Sequence, residues 1–71
     1  MQPLFAVYGA GGHGREVMPL AREQLRQKGF SIESLVFIDD NPVAEVVNGH
    51  RVLTYPAFLR ASATSRTVVL A

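Results

Sequence analysis

Cysteine and tryptophan are both absent from the 71-residue chain. Without thiols there are no disulfides and no thiolate metal sites. Histidine is nearly as scarce: His13 and His50 are the only two, too few to suggest a metal site on their own. An excess of one charge is lacking as well. Seven Lys and Arg against six Asp and Glu leave a formal +1, which speaks against a strongly nucleic-acid-binding surface. No apolar run approaches the ~18–20 residues of a membrane span, and the amino terminus has no basic stretch ahead of an apolar one. A cytoplasmic location is therefore expected, with neither membrane nor nucleic acid as partner. Length is short too. One small domain is the most that 71 residues allow, and a chain of this size buries only about 60–65% of its unfolded surface.

What is present is a strand–glycine–helix pattern followed by shorter alternations. Residues 4–8 form a continuous apolar run of the kind buried on both faces of a parallel sheet. Gly12 or His13 to about Lys28 reads as a helix with Val17, Met18, Leu20, Ala21 and Leu25 as its apolar stripe. Gly29 is its stop, and Pro19 is expected to kink it. Phe30 and Ile32 are expected to pack the return. Leu35 to Ile38 is a second strand, ended by the turn chemistry of Asp39-Asp40-Asn41-Pro42. Residues 43–48 read as a loop with room for a short strand, and Asn48-Gly49 as a turn. His50 to Leu53 is then a short strand placed at an edge. Thr54 caps a small helix over Tyr55–Ala61, with Pro56 in its tolerated first-turn position. Ser62–Ser65 is a connector, and Thr67–Ala71 has strand character. The order β-α-β-(β)-α-β gives an α/β fold, a small Rossmann-like parallel sheet with crossover helices. The whole of 1–71 is expected to be the N-terminal domain of a longer protein.

The chemistry concentrates between Tyr8 and Arg15. Gly9, Gly11 and Gly14 stand at the offsets of G-x-G-x-x-G. Gly9 would make the tight turn out of the strand, Gly11 would admit a phosphate to the backbone, and Gly14 would let helix and strand pack closely. The helix start then aims its unpaired N–H groups and positive dipole end at an anion. An acid at the end of the second strand is where a ribose binder belongs. Asp39, however, lies beyond the usual interval of ~20 residues, and Asp-Asp-Asn-Pro is also good turn chemistry without a ligand. His13 reads as a donor to phosphate or sugar and equally as a helix-start residue facing water. Arg15 reads as a phosphate partner or as part of a solvated helix face. His50 is expected to be a strand-edge residue, Tyr8 and Tyr55 packing residues with wet hydroxyls. Arg22, Glu23, Arg26, Lys28 and Glu33 read as ordinary solvated surface.

Three stretches together resemble one family. Tyr8-Gly-Ala-Gly-Gly-His-Gly-Arg-Glu-Val17, Phe37-Ile-Asp-Asp40 and Val47-Asn-Gly-His-Arg-Val-Leu53 look like the N-terminal domain of the sialic acid O-acetyltransferase (NeuD) and UDP-4-amino-sugar N-acetyltransferase (PglD) family. The resemblance covers nearly the whole chain. It implies an acyltransferase of glycan biosynthesis in two parts: a Rossmann-like domain that binds the nucleotide-sugar, and a left-handed β-helix of hexapeptide repeats. The second part would make a homotrimer, bind acetyl-coenzyme A as co-substrate and supply the catalytic histidine. Carried onto this chain, Gly9, Gly11, Gly12, His13 and Gly14 would lie against the diphosphate or sugar of a UDP-sugar. Asp39 and Asp40 would hold the uridine end. No hexapeptide repeat is present here, so this chain is expected to bind and not to catalyse, with no cofactor of its own.

Two other readings remain. In the first, the chain is the NAD-binding half of a dehydrogenase. Bulky Met18, at a position where that fold tends to use a small residue, and the long glycine-to-acid interval lean against it. In the second, it is a non-catalytic module for assembly or regulation, which would bind no nucleotide.

Overall fold

A computed structural model of the chain describes residues 2–42 and 44–70. Five strands form one sheet: β1 (Leu4–Tyr8), β2 (Leu35–Ile38), β3 (Val46–Val47), β4 (His50–Leu53) and β5 (Arg66–Leu70). Two helices pack on it, α1 (Gly12–Gln27) and α2 (Tyr55–Arg60). The strand order is β3-β4-β2-β1-β5. The four strands β4, β2, β1 and β5 run parallel, and β3 pairs antiparallel on the outside of β4. This is the Rossmann-like α/β sheet expected from the alternation of elements. The expectation that His50–Leu53 lies at an edge is corrected: Val46–Val47, joined to it by the tight Asn48-Gly49 turn, takes the edge.

Side-chain alternation divides the core in two. Val7 of β1 and Leu35 and Phe37 of β2 face α1, where Met18 and Leu25 close over them. Leu4 and Ala6 of β1 and Val36 and Ile38 of β2 face the other way, onto Phe58 of α2. All four residues of β2 are buried, as a strand covered by helices on both faces requires. Fully burying side chains of this size contributes about 1.5–3 kcal/mol each, so the two central strands dominate the stability of the domain.

The helices start and stop for local reasons. α1 runs as one helix through Pro19, which lies on its exposed side. At its end Phe30 N–H donates to Leu25 C=O at 3.0 Å and Gly29 N–H to Arg26 C=O at 3.1 Å, the paired bonds of a Schellman stop. Thr54 Oγ1 accepts from Ala57 N–H at 3.3 Å and caps α2. The far end of α2 is held by Arg66 of β5, whose Nε donates to Phe58 C=O at 3.2 Å and whose NH2 group donates to Ala61 C=O. A cation at that end also suits the helix dipole. Phe30 packs on Phe5, with ring centroids 5.2 Å apart, as expected. Ile32 does not share in this: it sits in a 3-10 turn, Ile32–Ser34, and stays 47% exposed. Strand β5 begins one residue earlier than the sequence suggests, and Ala71 lies outside the described residues.

Candidate functional site

β1 is the strand at which the order of the sheet reverses. β2 lies on one side of it, and β5, reached through α2, on the other. In open parallel sheets the crevice at the carboxyl ends beside such a reversal is where ligands collect. The residues that leave β1 at that end are Gly9 to Gly14.

The turn is built by backbone contacts. Gly9 N–H donates to Ile38 C=O at 2.6 Å, continuing the β1–β2 ladder by one rung. Its φ of +102° is a conformation open to glycine. Gly14 is set by proximity: a Cβ there would lie 1.6 Å from Gly9 O and 2.7 Å from Gly9 C. The helix therefore crosses the turn at backbone contact distance. Gly11 and Gly12 differ sharply from it. A Cβ on either meets nothing within 4 Å, so the chain itself has no packing need for glycine at these two positions.

Gly11 is the N-cap of α1 and offers no side-chain cap. Among the described residues, no group accepts from the N–H of Gly12 or His13. These are the orphan donors of a helix start, and they lie beside the open flanks of Gly11 and Gly12. The imidazole of His13 is exposed in the same first turn. Arg15 reaches back, its Nε donating to Ala10 C=O at 3.1 Å, so part of its hydrogen bonding braces the turn.

The paired acids diverge. Asp39 accepts from Ala10 N–H at 3.3 Å through Oδ2 and from Asn41 N–H at 3.0 Å through Oδ1. Its carboxylate ties the end of β2 to the glycine turn. It also places negative charge on the β2 side of that turn, which leaves the helix-start side for an anion. Asp40 turns the other way. The Tyr8 hydroxyl donates to its Oδ2, and Tyr55 N–H approaches its Oδ1 at 3.4 Å. The hydrogen bond to Asp40, ahead of burial and the two nearby carboxylates, holds the Tyr8 phenol above its usual pKa. Tyr8 and Tyr55 lie with ring centroids 6.3 Å apart at 44°. The Tyr8–Asp40–Tyr55 cluster is one that composition and spacing did not reveal. Tyr8 sat in the sequence as a packing residue, and its hydroxyl meets a carboxylate 32 positions away.

His50 and Arg22 are also placed differently from expectation. His50 is 4% exposed and lies inside the sheet rather than at its edge. Its Nδ1 lies 3.0 Å from Leu35 C=O, and its Nε2 is 3.2 Å from Arg22 Nε and 2.8 Å from an Arg22 terminal nitrogen. A guanidinium has only donors, so Nε2 accepts and Nδ1–H donates to the carbonyl. Arg22, expected as solvated surface, is thus half-buried and pins α1 to β4. This pair sits away from the glycine turn and belongs to the scaffold. A polar hollow of about 330 Å³ beside Gln2, Ser34, Arg51 and Ser62 lies at the amino ends of the strands, opposite the turn. No group of three or more metal-ligating side chains occurs among the described residues.

The description "PglD N-terminal domain" belongs to the family model that matches residues 5–71. GDP-perosamine N-acetyltransferase from Escherichia coli O157:H7 is 41% identical over 58 residues, 82% of this chain and 26% of that protein. The structure of WeeI from Acinetobacter baumannii AYE is similar with a TM-score of 0.89 at 40% identity, over 99% of this chain and 32% of that one. The chain therefore spans about a third or less of the length of the relatives it matches.

Proposed function

Because the chain belongs to the PglD N-terminal domain family, we propose that it binds a nucleoside-diphosphate sugar and presents that sugar as the acceptor in an acetyl transfer. The observation that carries the proposal is the helix start at Gly12 and His13: free amides, a positive dipole end and open glycine flanks, at the carboxyl end of the strand where the sheet reverses. The diphosphate would accept from these amides. Asp39, already bonded to the turn, keeps lone pairs for a ribose hydroxyl. The sugar would then project past the turn toward the transferase machinery. Acetyl-coenzyme A would supply the acetyl group to a sugar amine or hydroxyl. A general base outside this chain would take the acceptor's proton. A hexapeptide-repeat β-helix domain and a homotrimer, as the family resemblance implies, complete this picture of a cytoplasmic enzyme.

The base of the nucleotide is read in two ways. The family resemblance points to a UDP-sugar. A GDP-sugar is favoured by one observation, the name GDP-perosamine N-acetyltransferase carried by a relative at 41% identity. Isothermal titration of the chain with UDP, GDP and NAD decides among them. Saturable binding of UDP or GDP with none of NAD is the expected result. Binding of NAD alone would turn the reading to the dinucleotide-binding half of a dehydrogenase. No binding of any of the three would leave an assembly or regulatory module.

A further inference from the structure

Tyr8, Asp40 and Tyr55 come from three separate stretches and meet at the carboxyl ends of β1, β2 and β4. None of the three is needed to close the core. Tyr55 is 43% exposed, and Asp40 is exposed as well. Yet the cluster is ordered by its own bonds: the Tyr8 hydroxyl donates to one carboxylate oxygen, Tyr55 N–H faces the other, and the two rings lean together. A flat aromatic surface beside a held carboxylate is suited to a planar group that carries N–H donors. Along the rim, the cluster lies beyond the Asp39 carboxylate on the side away from the helix start. A nucleotide with its diphosphate at Gly12 and its ribose at Asp39 would bring its base there.

On the reading of the domain as a nucleotide-sugar binder, we infer that Tyr55 is the platform on which the nucleobase stacks and that Tyr8 is a positioning residue, fixing Asp40 to accept from the base. Asp40 retains free lone pairs after its two internal bonds. Tyr8 acts only through Asp40, because its hydroxyl is already committed to the carboxylate. The ring of Tyr55 supplies stacking that tolerates more than one base, and Asp40 supplies preference for a base edge that donates.

The absence of tryptophan makes this testable directly, since Tyr8 and Tyr55 are the only tyrosines and dominate the intrinsic emission. Titrate the chain with UDP, GDP and inorganic pyrophosphate, following tyrosine emission corrected for nucleotide absorption, with calorimetry in parallel. Binding of UDP or GDP is expected to quench the emission and pyrophosphate to leave it unchanged. In Tyr8→Phe, where Tyr55 alone emits, the quench persists and affinity falls about threefold. In Tyr55→Ala affinity for the nucleotide falls about tenfold, and Tyr55→Phe restores most of it. Calorimetric binding of a nucleotide with no quench, and with Tyr55→Ala equal to the wild type, overturns this inference while leaving the proposed function standing. Absence of any nucleotide binding removes both.

Discussion

At the scale of single residues, the glycine motif separates into one position the chain needs and others it does not. Gly14→Ala would drive a methyl into the Gly9 carbonyl at 1.6 Å, a backbone contact that no rotamer change relieves. The expected cost is about 3 kcal/mol of a total that is roughly 4–10 kcal/mol for a domain this size, readable as a collapse of the urea midpoint. Gly11→Ala is the opposite experiment. Its φ of −80° suits alanine and its flank is empty, so the urea midpoint is expected to stay within about 0.5 kcal/mol of wild type. Nucleotide affinity should fall at least tenfold if a phosphate approaches there. Tyr8 gives a second residue-scale outcome. Its phenolate would face the Asp40 carboxylate, so the folded chain favours the protonated phenol. That contribution to stability is complete below the unfolded phenol pKa and disappears as pH rises through the elevated folded value. Absorbance at 295 nm should therefore show one tyrosine ionising later than an ordinary phenol. Asp40→Asn should bring it back toward the ordinary range.

At the scale of elements, β1, α1, β2 and α2 were legible in the sequence because each carries its own local signal. Leu4–Val7 and Leu35–Ile38 are short apolar runs bounded by turn residues, Gly29 marks a helix stop, and Thr54-Tyr-Pro marks a helix start. The glycine turn was legible for the same reason, since its spacing is local. What joins distant elements was not. The Arg22–His50 contact spans 28 positions and the Tyr8–Asp40 contact 32, and no periodicity encodes either. β4 was placed at an edge because two residues, Val46–Val47, are too few to show alternation, although the Asn48-Gly49 turn did announce that something paired there. The α1–β4 tie yields its own prediction. His50→Ala removes the donor to Leu35 C=O and the acceptor for Arg22 together, at an expected cost of about 2 kcal/mol, against about 1 kcal/mol for Arg22→Ala. If chemical denaturation finds the two variants equal to wild type, the tie contributes nothing to stability.

At the scale of the whole molecule, the sheet is well covered on one side of β1 and sparsely covered on the other. On β5, Val68 and Val69 stay 37% and 44% exposed, and an apolar groove runs between that strand and α1 past Phe5, Leu25 and Val69. An uncharged, β-branched edge of this kind recruits other strands. The isolated chain is expected to self-associate as its concentration rises, and Val69→Lys to keep it monomeric by sedimentation velocity without changing its far-ultraviolet spectrum. Equal association of both proteins would show that this edge is not the contact.

The order of the sheet has a consequence for how the chain comes to exist. β1 is made first, yet one of its two neighbours is the segment Arg66–Leu70, more than sixty positions later. A nascent chain emerging from the ribosome holds the glycine turn early, but the strand that flanks it arrives last. No ligand can help such a chain to fold stepwise: a crevice beside β1 exists only once residues from both extremes have met, so binding and completion of synthesis coincide.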